Sequence, residues 1–235
     1  MLTQPQNSKA NTPDFKQIIE IYLFINPLGS KCYQAEKELL TFIESKTDKK
    51  VHFRFIPFHN FQTVSNYMKF HQLPERNLAL RNEICGNTYS ACLAYKAALM
   101  QGKKKGRTFL MNLQKAVVED QCVFSETLLK TIAQQSHLDV EMFLEDKQSD
   151  FAKKDYEKDQ QIAREMNIQC TPSLVLFDNL TDDYGLLLDN ECISLDLVTK
   201  LCDSSNSIRD NHKKIMSQNT LVTKTTENHL RVLGS

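Results

Sequence analysis

The chain predicts an α/β fold in which a β-α-β unit opens the sheet, a long helical block interrupts it, and an α-β-β-α stretch completes it. Three observations carry this. Two apolar segments in the first quarter, IEIYLFI (residues 19–25) and VHFRFIPF (51–58), have strand character. Residues 60–150 show helical spacing with no alternation of period two. Two further apolar runs, SLVLF (173–177) and YGLLL (184–188), then follow each other closely.

The first run is nearly continuous, as expected of a strand buried on both faces. From Cys32 the period changes: Ala35, Leu39, Phe42 and Ile43 form one helical stripe, with Lys37, Glu38 and Glu44 outside it. Ser30 is expected to cap that helix. In the second run Val51, Phe53 and Phe55 alternate with His52 and Arg54, a strand pattern. The helix between the two is long enough for a parallel crossover.

In the helical block, Pro74 suits the first turn of a helix running through Leu78, Cys92 and Ala97 to Gly102, its expected C-cap. A second helix holds Phe109, Leu110, Leu113 and Val117, a third opens at Ser125, and VEMFLED makes a short fourth. Lys103-Lys104-Lys105-Gly106-Arg107 reads as a solvated basic loop between the first two. A helix from about Asp150 to Met166 precedes SLVLF, and the short LTDD connection to YGLLL demands an antiparallel hairpin. Ser194 caps a last helix through Leu201. The expected division is a polar N-terminal tail at 1–17, an α/β domain from 18–74 with 151–205, a helical insertion at 75–150, and a C-terminal extension of unknown structure at 206–235.

Composition narrows the function classes. With 29 basic and 29 acidic side chains in 235 residues, there is no global field for nucleic acid or an acidic membrane. No apolar run approaches a membrane span and the N-terminus lacks a secretory signal, so a soluble, cytoplasmic protein is expected. Seven scattered cysteines read as free thiols, mostly packed as small apolar groups. Neither they nor the six histidines have metal-ligand spacing, so no metal or cofactor is expected.

One stretch carries chemistry. A strand that climbs into Asn26-Pro27 and delivers Cys32 to a helix start is how thiol-disulfide enzymes present their nucleophile. Those enzymes use two cysteines two residues apart, and Gly29 occupies the first place here. The chain has therefore kept the buried, resolving position and lost the activated one. Cys170 complicates this, since a Cys32–Cys170 disulfide would make a redox sensor; a packed loop thiol is the plainer reading.

This order of elements, with Thr171-Pro172 just before a buried strand, resembles the thioredoxin fold, and the helical block after the second strand resembles its DsbA branch. Within that branch, IYLFINPLGSKCYQAEKEL and IAREMNIQCTPSLVLFD resemble the YjbH/SpxH adaptors, over about residues 18–205. The resemblance implies a non-catalytic adaptor that binds the stress regulator Spx and promotes its degradation by the ClpXP protease, which it meets through the client. It also implies a cis Thr171-Pro172 bond beside the cysteine turn, making Gly29, Ser30, Cys32, Thr171 and Pro172 the candidate partner-binding residues. Cys32 and Cys170 are the candidate redox-sensing pair. Better-known members carry a CxxC where this chain has Gly29-Ser30-Lys31-Cys32, and some carry a His/Cys-rich, zinc-binding N-terminus that is absent here. The rival class is an enzyme: a thiol-disulfide oxidoreductase, or a glutathione-dependent transferase or isomerase of the kappa type with Ser30 beside the glutathione thiolate.

Overall fold

The computed structural model describes residues 17–46, 49–181, 185–189, 193–202, 206–218 and 230–233. Strand β1 (Ile18–Ile25) is an interior strand of the sheet. Its residues alternate between two cores. Ile19, Ile21, Leu23 and Ile25 face one cluster, while Tyr22 and Phe24 face the other. Burial on both sides explains why this segment shows an apolar run rather than a clean alternation.

Helix α1 (Ser30–Ser45) returns the chain to β2 (Lys50–Pro57), which pairs parallel with β1 in the register Ile19 to Val51. Strand β3 (Ser173–Asp178) lies antiparallel on the other side of β1, with Ile21 opposite Leu176. Strand β4 (Gly185–Asp189) pairs antiparallel with β3, as the short connection required. The sheet order is β2-β1-β3-β4-β5, where β5 (Leu230–Leu233) adds antiparallel to β4.

Helices α1, α8 (Leu195–Leu201) and α9 (Ile208–Gln218) cover one face of the sheet. Helix α7 (Asp150–Glu165) covers the other through Ile162 and Ala163. The C-terminal stretch that showed no pattern in sequence thus contributes α9 and β5. Ile208 is fully buried, and Asn211 Nδ2 donates to Leu201 O at 2.9 Å, tying α9 to α8. The expected N-terminal tail lies outside the described residues over 1–16, as do Cys192 and His229.

Between β2 and α7 the described chain is helical throughout: α2 (Phe61–Phe70), α3 (Leu78–Met100), α4 (Lys103–Gln114), a π-helical turn (Lys115–Glu119), α5 (Glu126–Gln135) and α6 (Val140–Gln148). Alanines 91, 94, 97 and 98 of α3 pack with Phe109, Leu113, Ile132 and Phe143 in a core of their own. Leu28, from the turn after β1, inserts into that same core. The cysteine turn is therefore clamped between sheet and insert.

Three local expectations need correction. Ser30 does not cap α1: Gly29 is the N-cap residue, and Ser30 begins the first turn. Gly29 O accepts the Tyr33 N–H at 3.0 Å, which starts the helix one residue earlier than expected. Pro74 lies outside the helix; Asn77 caps α3 instead, its side chain accepting from Leu80 N–H at 3.1 Å. The basic stretch 103–107 is the first turn of α4 rather than a loop. Gly102, at φ 122°, turns the chain so sharply that α4 starts at once. Gly106 then meets Leu99 so closely that a Cβ would sit 2.7 Å from Leu99 Cδ2, and no larger residue would let the two helices pack this way. Ser125 and Ser194 do cap their helices, accepting from Leu128 and Leu197 N–H at 3.1 and 3.2 Å.

Candidate functional site

The site begins with how β1 ends. Asn26 Oδ1 accepts the Leu28 N–H at 2.9 Å, and Asn26 O accepts the Gly29 N–H at 2.9 Å, folding Asn26-Pro27-Leu28-Gly29 into a turn. The helix that follows brings Cys32 back under this turn, where the Asn26 N–H donates to Cys32 Sγ at 3.2 Å. Cys32 is 2% exposed. Burial pushes its thiol up to about 12, with the nearby Glu36 and Cys170 adding to the rise and the Asn26 and Thr171 donors opposing it. A thiol so placed is neutral at physiological pH and is not an attacking group.

The Thr171-Pro172 bond is cis. Thr171 lines the same groove as the cysteine turn, beside Cys32. Pro172 is buried behind it. Cys170 is half-buried, its Sγ 3.7 Å from Ser173 Oγ, and neither it nor Cys32 is in a disulfide. Gly29, Ser30, Cys32 and Thr171 therefore line one site, and Pro172 and Cys170 stand just behind it. Among the described residues no group of His, Cys, Asp and Glu could hold a metal ion.

An open groove of about 300 Å³ runs over Gly29, Ser30, Cys32 and Thr171. Its far wall is α2, which presents Tyr67, Lys69 and Phe70, with His71 following. A second compartment of about 500 Å³ continues it between α2, α3 and the π-helical turn, lined by Leu28, Ile84, Val117, Val123 and Phe124. The two share Ser30, Tyr67, Phe70 and His71. One end thus offers the cations Lys31 and Lys69, the other a mixed surface in which Asn87, Thr88 and Gln121 accompany the apolar side chains, and no acidic side chain lines either. Phe70, 57% exposed at the junction, is an unusual place for a large apolar ring.

Sequence reasoning missed the α2 wall. Helicity over 60–70 was legible, but nothing in it indicates that Tyr67 and Phe70 face residues more than thirty positions earlier. It also missed Glu36, which is buried beside Cys32 and pushed up to about 8 by burial, with only the Gln114 donor opposing that rise. The exposed Phe70 beside an apolar groove was the signal available once α2 was placed.

The family model Thioredoxin_5, described as thioredoxin, matches residues 22–200. The chain belongs to the Thioredoxin_5 family. Among curated relatives of this family member is the "ClpXP adapter protein SpxH" of Bacillus subtilis (strain 168), 31% identical over 187 residues, covering 73% of this chain and 62% of the relative. The protein of the same name from Staphylococcus aureus is 25% identical over 171 residues, covering 73% and 60%. The match therefore spans about three fifths of the length of these relatives. The resemblance to the YjbH/SpxH adaptors drawn from IYLFINPLGSKCYQAEKEL and IAREMNIQCTPSLVLFD is borne out by these names. Solved structures place the fold in the DsbA branch: Pseudomonas aeruginosa DsbA has a TM-score of 0.55 at 14% identity over 90% of both chains. BdbD from Bacillus subtilis (oxidised) also has a TM-score of 0.55, at 16% identity over 83% of this chain and 88% of that one. At these identities the likeness shows fold alone. Among the described residues no helix is long and apolar enough to cross a membrane.

Proposed function

We propose that this Thioredoxin_5 member is a non-catalytic adaptor that binds Spx and promotes its degradation by ClpXP, with the groove over the cysteine turn as its client-docking surface. One observation carries the reading. The turn that would present a redox pair keeps its geometry around Cys32, yet has Gly29 where the attacking thiol belongs, and opens onto a groove. The names of the curated relatives support the adaptor role.

The chemistry of the site supports it too. Cys32 alone has no partner sulfur within the turn, so it cannot cycle between dithiol and disulfide there. Ser30 stands at the rim with its hydroxyl free of capping duty. A glutathione thiolate held by that hydroxyl is the enzymatic alternative, and a glutathione-conjugation assay reads it directly. What remains is a recognition surface. A client segment laid beside Thr171 would meet backbone at the residue before cis-Pro, cations at Lys31 and Lys69, and apolar side chains beyond Phe70. Binding there changes no bond; it raises the share of client molecules in states that the protease can engage.

A pull-down of Spx with the full chain tests this, beside insulin-reduction and glutathione-conjugation assays. Capture of Spx with neither enzymatic activity is the expected result. Turnover in either assay without Spx capture would overturn the adaptor reading.

A further inference from the structure

Glu36 lies one helical turn beyond Cys32 on α1 and is fully buried. Its partner across the seam is Gln114, the last residue of α4 and equally buried. Gln114 Nε2–H donates to Glu36 Oε1 at 2.7 Å. The other atoms of the same two groups, Glu36 Oε2 and Gln114 Oε1, have no hydrogen-bond partner. If Glu36 were ionised, both orphans would be acceptors, and neither could satisfy the other. Two unsatisfied acceptors in a buried seam are a heavy burden for one helix contact. A proton on Oε2 turns one of the two orphan acceptors into a donor, the change that can satisfy the other.

We propose that Glu36 is protonated in the folded chain and forms with Gln114 an acid–amide ring, Oε2–H donating to Gln114 Oε1 and Nε2–H donating to Glu36 Oε1, which latches α1 to the helical insert. The surroundings agree. Cys32 faces Glu36 from α1 and Tyr95 from α3, and burial pushes both of these acids upward, so neither brings a charge to the pocket at neutral pH. Arg54 and Arg107 act on Tyr95, while Lys37, next to Glu36 in sequence, turns outward to Glu119 at 3.2 Å. With no cation to hold a carboxylate, burial dominates.

The latch sits where it can matter to the groove. Gln114 leads directly into the π-helical turn, whose Val117 and Val118 line the second compartment, and α1 begins at Ser30 on the rim. Ionising Glu36 would break the ring and loosen the seam between those two walls. That consequence rests on the proposed docking surface; the protonation itself does not.

The direction with pH follows from linkage. Glu36 has an ordinary value of 4.5 and is raised to about 8 in the fold. The folded chain therefore keeps a proton that the unfolded chain releases across this interval. The ring's contribution is complete below 4.5, falls as pH rises to about 8, and then levels off.

Two measurements on the full chain test the proposal. In ¹³C-labelled protein, the Glu36 Cδ resonance, assigned by through-bond experiments, is expected at its protonated position at pH 6, moving only as pH approaches 8. A midpoint in the ordinary carboxylate range would overturn it. Glu36→Gln replaces the ring with an amide–amide ring that has no proton to lose. From pH 5 to 8 the wild-type thermal midpoint should fall relative to that of E36Q, and parallel curves would overturn the proposal. Spx capture is read separately, so failure of the docking reading leaves these two results unchanged.

Discussion

Gly29→Cys returns the thiol whose absence separates this turn from a redox turn. Gly29 has φ −92° and ψ 126°, an extended conformation open to any L residue, so the substitution adds no backbone strain. A Cβ built there lies 3.2 Å from Cys32 Sγ. Bond lengths in a disulfide put the same separation at about 3.0 Å, so a bridge requires a shift of only a few tenths of an ångström. The added carbon also meets Asn26 O at 3.3 Å and Asn26 Cβ at 3.4 Å, tight contacts at a half-exposed position. Crowding should cost the reduced variant about 1 kcal/mol. Closing so short a loop recovers about 2 kcal/mol in the oxidised one by chain entropy. The new thiol would occupy the N-cap of α1, where the helix end favours a thiolate. Alkylation of free thiols after equilibration in a glutathione buffer, followed by intact mass, should show two fewer reactive thiols in the oxidised variant than in the reduced one. Insulin reduction should rise above wild type. If a folded variant kept both thiols reactive under oxidising glutathione, the idea that this chain retains a redox turn minus its nucleophile would be wrong.

Two further outcomes follow from the packing. Lys96, 3% exposed in its side chain, bonds Asp155 at 2.6 Å and Asp159 at 2.7 Å; Lys96→Met leaves the buried Asp159 with only Arg54 at 3.3 Å. That should lower stability by about 3–5 kcal/mol in urea unfolding, and a loss below about 1 kcal/mol would mean the network does not hold α3 to α7. Thr171→Arg fills the groove beside the cysteine turn and should weaken Spx binding about tenfold or more with an unchanged circular dichroism spectrum. Unchanged affinity would place the client on another face.

Much of the architecture could be read from one-dimensional pattern, for identifiable reasons. Ile19 to Ile25 is buried on both faces, so its apolar run survives in sequence; Val51 to Phe55 lies at the sheet edge and alternates. The cysteine turn was legible because Asn26, Pro27, Gly29 and Cys32 act within one short segment. Residues 206–218 and 230–233 were not, because α9 buries little beyond Ile208 and Asn211 and β5 is only four residues long. The basic stretch 103–107 misled because its helical character comes from Gly102 and from Gly106 against Leu99, contacts that composition does not reveal. The α2 wall of the groove and the Glu36–Gln114 pair were beyond reach for one reason. Each joins residues far apart in the chain, and the local surroundings of Glu36 look no different from those of the outward Lys37 and Glu38 beside it.

Client recognition by the groove needs Cys32 only as a packed group without a chemical role. It is tested most directly by ClpXP degradation of Spx with and without the full chain, alongside Cys32→Ser. Serine at this site can still accept the Asn26 N–H, so the variant should fold with a stability loss of about 1–2 kcal/mol. The wild-type chain should accelerate Spx loss, and folded Cys32→Ser should do so at nearly the same rate. No acceleration by the wild type, or its abolition in a folded Cys32→Ser protein, would contradict it.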